Sequence, residues 1–529
     1  MRRSLLAAVS LSALIATPAW ADEEINDERT EPVETADADG AGNADNIVIG
    51  SNGRVTLIGV PGPAVHVNSN NDLTTQNGSV IRINDRDGDG DPVSVDGAVG
   101  IQVDPGVEGD ISHGGRIVLD DSDDPADLGT DDLVDADNDG EVDDPDGEAD
   151  GAFAQDQNKT GLLIGAVDGD YNPVAGQDAV TGDVAITSTG AIVVQGQNSF
   201  GVRAVTAIDG DFFSDGSVTV TGENSRGISL EDDVSGNVEI ISVNTVSPGG
   251  NAVVVEGDVG GGVRANGTVS AHGYRTTTRY RENLMVLFEN EEEAAARGDV
   301  ADNLDSGSAF LVAGSVADGV FISTSGTIQA YTGGGAALEL RPDEDGTGDQ
   351  VIGEVSLPDD YTTNRTDDDD EGDQLGYAVV NEGTIANNAV FDGKDATACL
   401  VVGRDDNGGL RSVILGAGGV MNTRTVTATA YDGTARAMHF GAGAQADTIL
   451  NSGVLRAAAV LGHEEDGFAD DAYGAGRAIA LDLDENSQIR RILNEAGNIN
   501  ATITGGGQSA IAIRSNDDSL DELRNSGII

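Results

Sequence analysis

Arg477-Ala478-Ile479-Ala480-Leu481, followed by Leu493-Asn494-Glu495-Ala496-Gly497-Asn498-Ile499, is the stretch on which the fold turns. A short apolar run rich in small and branched residues comes first, then an asparagine and a glycine at a corner, then the next apolar run. Both halves recur. Arg436-Ala437-Met438-His439-Phe440 and Ser509-Ala510-Ile511-Ala512-Ile513 repeat the first, and Leu450-Asn451-Ser452-Gly453-Val454-Leu455 and Arg524-Asn525-Ser526-Gly527-Ile528-Ile529 repeat the second. From Ala437 to Asn451 is 14 positions, from Ala478 to Asn494 is 16, and from Ala510 to Asn525 is 15. The unit is therefore about 30 residues long and tolerates insertions.

Weaker copies run upstream through Thr189-Gly190-Ala191-Ile192, Asn266-Gly267-Thr268-Val269, Ser325-Gly326-Thr327-Ile328 and Asn381-Glu382-Gly383-Thr384-Ile385. A unit of two or three short strands cannot bury its apolar side alone, so neighbouring units must stack on one another. Parallel coils spaced ~4.8 Å apart would align the Ala, Ile, Val and Leu positions into internal ladders. The sequence thus predicts an all-β chain, a β-solenoid of stacked parallel coils with protruding acidic loops and one short helical insertion.

The organisation follows. Arg2 and Arg3, the apolar stretch from Leu5 to Ala16 and Ala19-Trp20-Ala21 read as a cleaved signal peptide over residues 1–21, so the mature chain begins at Asp22. No later stretch is long and apolar enough to form a membrane-spanning helix. Residues 22–45 are acidic and poor in large apolar side chains, the composition of a disordered lead-in. Residues 46–529 form the β-helix, with insertions near 120–157, 279–299 and 343–374. Leu284, Leu287 and Phe288, followed by Glu291 to Ala296, give the middle insertion its helical spacing.

With 93 acidic against 28 basic residues the net charge is -65, which excludes binding to a nucleic-acid backbone. Cys399 is the single cysteine and sits in an apolar strand, where packing outweighs reactivity. The signal peptide, the acidic lead-in and the repeated Asn-Ser-Gly-x-Ile with Gly-x-Ala-Ile-x-Leu units resemble the passenger region of Gram-negative autotransporters, over most of residues 46–529. The resemblance implies a right-handed β-helix carried to the cell surface or outer membrane, or released outside the cell, with a periplasmic location as the alternative. The family's translocating barrel is not recognisable here, because aromatic residues are too few, and is expected downstream or in another chain. The chain stops in the middle of a repeat unit, as the front part of a longer protein would.

Two acidic loops match the calcium-loop template of carboxylates at positions 1, 3, 5 and 12 with glycine at 6. Asp85, Asp87, Asp89 and Asp96 form the first set, and Asp135, Asp137, Asp139 and Asp146 the second. They resemble the loops of dockerins, which end in Asp, and make calcium the candidate cofactor. Catalytic signatures are lacking. The five histidines fit no protease, lipase or zinc pattern, His463-Glu464-Glu465 lacks a second histidine, and Asp305-Ser306-Gly307-Ser308 only superficially resembles a nucleophile turn. Arg297-Gly298-Asp299 is too short to specify adhesion.

The leading expectation is therefore a noncatalytic, adhesin-like surface solenoid whose partner is a surface, a glycan or another cell. The alternatives are a polysaccharide-acting β-helix enzyme and a secreted, calcium-stabilised structural protein. Only Lys159 and Lys394 are lysines, and Trp20, the sole tryptophan, lies in the signal peptide, which leaves an enzyme little equipment for sugars.

Overall fold

Alternating small and branched residues between glycine and asparagine corners produce strands of two to ten residues, and those of the stack pair in parallel with the strand one repeat later. The computed structural model describes residues 22–85, 93–121, 154, 156–273, 305–344, 346–357, 373–406, 409–460, 476–504, 509–516 and 518–529. Each coil has three sides. Ile47–Ile49, Arg54–Ile58 and Val65–Val67 are the first, second and third sides of one coil. They pair with Leu73–Thr75, Val80–Asn84 and Val99–Val103 of the next. The third sides form a 13-stranded sheet of their own. The first and second sides merge where a long strand such as Phe212–Thr221 turns the corner, with its register shifting between Ser214 and Ser217.

This is the arrangement of a β-solenoid. Twelve steps between the 13 third-side strands, at ~4.8 Å each, make a stack about 58 Å long. One continuous apolar column from Ile25 to Ile499 fills it. The third side carries a small residue wherever it crosses the side chains of the second. A Cβ on Gly161 would lie 2.4 Å from Ile192 and 2.6 Å from the Gly201 carbonyl oxygen, and one on Gly201 would lie 2.3 Å from Val218. Fully buried Ala252, Ala309, Ala337, Ala398 and Ala437 take over that position in later coils.

Asparagines at the corner between the first and second sides form an internal ladder. The Nδ2 of Asn381 donates to Asn422 Oδ1 at 2.8 Å, Asn422 to Asn451 at 2.8 Å, Asn451 to Asn494 at 2.8 Å and Asn494 to Asn525 at 2.7 Å. The repeated asparagine is thus a buried amide chain as well as a turn residue.

Three expectations are corrected. Residues 22–45 are not a disordered lead-in. Glu23–Ile25, Glu28–Arg29 and Val33–Glu34 pair in parallel with Ile47–Ile49, Arg54–Ile58 and Val65–Val67, and form the first coil. Ile25 and Ala38, with Val33 packed against them, fill this coil's share of the core, because the next coil supplies the other contacts. The 343–374 insertion does not simply protrude. Gln350–Ile352 joins the stack beside Val413–Asn422. Ser356–Leu357 and Asp373–Gln374 form a small antiparallel pair. Leu357, Leu375 and Tyr377 then cover Phe321, Val380 and Met421 on the outside of the first side, in a second small apolar cluster.

The repeat register also differs by two residues, since Thr434 rather than Arg436 pairs with Arg477. Ala435 and Ala437 are both fully buried, so a small core residue fits the pattern in either frame. The signal peptide, the 279–299 helical insertion and most of the 120–157 insertion lie outside the described residues. Among the described residues no helix is long and apolar enough to cross a membrane.

Candidate functional site

Strand Val80–Asn84 stacks on Arg116–Leu119, with Ile83 opposite Leu119, so Asp85 and Asp121 leave the same corner of successive coils. Asp156 enters that corner ahead of Thr160–Ile164. Stacking therefore gathers three carboxylates that are 3%, 5% and 7% exposed, each with an oxygen within 4.8 Å of the others. Backbone amides fix two of them. Val95 N donates to Asp156 Oδ2 at 3.1 Å, Asp156 N to Asp121 Oδ2 at 3.0 Å, and Asp121 N to Gln195 Oε1 at 3.1 Å.

Lys159, fully buried, lies 3.0 Å from Asp156 Oδ2 and donates to the Asp120 carbonyl at 2.6 Å. Lys159 pairs with Asp156, and carboxylates buried this close together are costly unless compensated. Oxygen-only donors of this kind suit a hard cation such as calcium.

Of the eight aspartates expected to hold calcium, Asp85 belongs to this cluster. Asp96 does not, because its carboxylate accepts from Gln157 N at 2.8 Å on the exposed side. Asp87, Asp89, Asp135, Asp137, Asp139 and Asp146 lie outside the described residues. Asp121, Asp156 and Lys159 fit no single-loop ligand template, because the cluster forms across coils. The available signal was Lys159 itself, one of two lysines in so acidic a chain.

A second cluster gathers His439, Asp482 and Asp484 on the third side. Here cations of the protein already occupy the carboxylates. Arg436 Nε lies 3.1 Å and Arg514 Nη2 2.6 Å from Asp482 Oδ2, while Asp484 takes His439 Nε2 at 2.8 Å and Arg514 Nη2 at 3.1 Å. The cluster is an ion-pair network tying three coils together.

The remaining polar groups serve packing. His66 bonds Asp104 at 2.7 Å, and His113, 1% exposed, bonds Thr75 Oγ1 at 2.8 Å. Burial pushes the His113 imidazole down to about 4. Ser308 donates to Glu339, and Asp305 pairs with Lys394 at 3.1 Å, so the serine turn is part of the coil stack. Cys399 is buried and its thiol is pushed up to about 12. A shallow cavity of about 290 Å³ lies along stacked corners at Asp209, Asp233 and Asp258, and one of about 50 Å³ lies between Tyr171, Phe200 and Arg203.

No protein-family model matches the chain, and neither a curated protein nor a solved structure matches it.

Proposed function

We propose that this chain is a noncatalytic right-handed parallel β-helix, exported and presented at the cell surface as an adhesin-like autotransporter passenger. The observation that supports this reading is the three-sided stack from Glu23 to Asn525, in which three of the described histidines are spent on contacts between coils. His66, His113 and His439 each bond a side chain of the adjacent coil. A stack of this kind supplies length and repeated lateral surface, which is what contact between surfaces uses. A second-side strand precedes and a third-side strand follows residues 122–153, 274–304 and 461–475, so all three segments are attached at the same corner of the coil.

Cells carrying the protein are expected to attach to surfaces or to one another more than cells lacking it, and the purified chain is expected to leave a glycan panel intact. Release of reducing or unsaturated sugar ends would replace this reading with the polysaccharide-acting enzyme. A secreted, calcium-stabilised structural role is the second reading. It is favoured by the Asp85, Asp121 and Asp156 cluster at the root of the first acidic loop.

A further inference from the structure

The outward residues of the second side form three columns running along the stack. Across seven successive strands, from Ala191–Gln195 to Thr425–Tyr431, these columns hold no Asp, Glu, Lys or Arg. With 23% charged residues overall, a face of this extent would carry about five charges. The charges resume at its two ends, at Arg116 and Arg82 before it and at Arg456 after it. The third side of the same coils bears Arg203, Arg226, Glu231, Glu256 and Glu339.

One column begins at Ala191 and is hydroxyl at each of its next six positions. Ser217, Ser242, Thr268, Thr327, Thr384 and Thr425 stand opposite one another in unbroken register. Their five steps at ~4.8 Å span about 24 Å. None of these six hydroxyls has a side-chain partner among the described residues, Ser217 and Thr268 are exposed, and the others are half-buried. The neighbouring columns add the amides of Asn244 and Gln329, and Tyr331, whose ring meets His272 edge-on at 6.3 Å.

We infer that this face binds an uncharged polysaccharide laid along the stack. This rests on the surface-contact reading above and names its partner class. The choice follows from charge. At a net charge of -65 the chain repels nucleic acid, anionic lipid and acidic glycans, while a cationic partner would be drawn to the acidic corners and not to this face. A neutral glycan presents ring hydroxyls that donate and accept, and the Ser, Thr, Asn and Gln side chains here offer both roles at a regular repeat. Tyrosine adds an amphipathic ring at little cost in conformational entropy.

The test uses the full chain with insoluble cellulose, curdlan and starch as neutral probes, and polygalacturonate as the charged comparison. Retention on at least one neutral polymer and none on polygalacturonate is expected. Thr327→Asp should lower retention about tenfold and Thr327→Val severalfold, while Ser112→Asp, on the first side, leaves it unchanged. Far-UV circular dichroism confirms that each variant is folded. Absence of retention on every neutral polymer overturns the inference, as does equal loss with Ser112→Asp. A wild-type dimer in sedimentation that Thr327→Asp dissociates would assign the face to a second copy instead. If cells still attach through the protein while no neutral polymer is retained, the glycan assignment fails and the surface-contact reading stands.

Discussion

Asn451→Ala should break the amide ladder at its middle. The Asn451 side chain is fully buried; its oxygen accepts from Asn422 Nδ2 and its Nδ2 donates to Asn494 Oδ1, both at 2.8 Å. Alanine leaves Asn422 with only the weak 3.4 Å contacts to the Arg424 and Val454 carbonyls, and removes the ladder donor to Asn494. Each orphaned buried group costs ~1–3 kcal/mol, so for the two groups the loss should be about 2–6 kcal/mol. Asn525→Ala at the exposed last rung removes one acceptor, and Asn494 keeps the Gly497 and Ile528 carbonyls, so that loss should stay below about 1 kcal/mol.

Because coils couple mainly to their neighbours, a global melt alone can miss a local opening. Guanidinium unfolding should therefore be paired with amide exchange read over Thr425–Tyr431 and Gln488–Asn494. Faster exchange confined to these strands in Asn451→Ala is the expected result. Equal stability of the two variants within about 0.5 kcal/mol, with exchange unchanged, would refute the ladder as a source of cohesion.

Two further outcomes follow from buried ionisable groups. The imidazole of His113 is held at about 4 in the folded chain against an ordinary 6.5, chiefly by desolvation. Its contribution is complete above pH 6.5 and is lost as the pH falls toward 4, because the unfolded chain takes up the proton first. That loss is about 3 kcal/mol, and His113→Gln should flatten it, read as the difference between the two proteins' stabilities across this window. If calcium occupies the Asp85 corner, it should raise the melting temperature of the wild type by mass action and excess chelator should lower it. Identical melting with calcium and with chelator would leave those loops as linkers.

The coil repeat was legible because stacking constrains the sequence at every turn. Asn451, Asn494 and Asn525 each precede a glycine-containing corner, and each proved to be a rung of one amide ladder. Elsewhere the same economy concealed structure. A coil resting on a neighbour needs little apolar surface of its own, so Ile25, Val33 and Ala38 suffice for residues that by composition look unable to fold. The two-residue error in register arose because Ala435 and Ala437 are interchangeable as buried small residues. The meeting of Asp85 with Asp121 and Asp156 was hidden for another reason. Contacts between coils join residues 35 or 36 positions apart, across an insertion whose length no local template contains. The covering of Phe321 and Met421 was equally non-local, since it depends on where the 343–374 insertion returns.

Surface presentation is the central claim, and the chain's single cysteine makes it directly measurable. Cys399 is buried with its thiol pushed up to about 12, so the wild type should stay dark to a membrane-impermeant maleimide. Thr268→Cys places a thiol on the exposed second side. Labelling of this variant on intact cells, without permeabilisation and with the wild type unlabelled, is the result the account predicts. Labelling that appears only after the cells are permeabilised would contradict it.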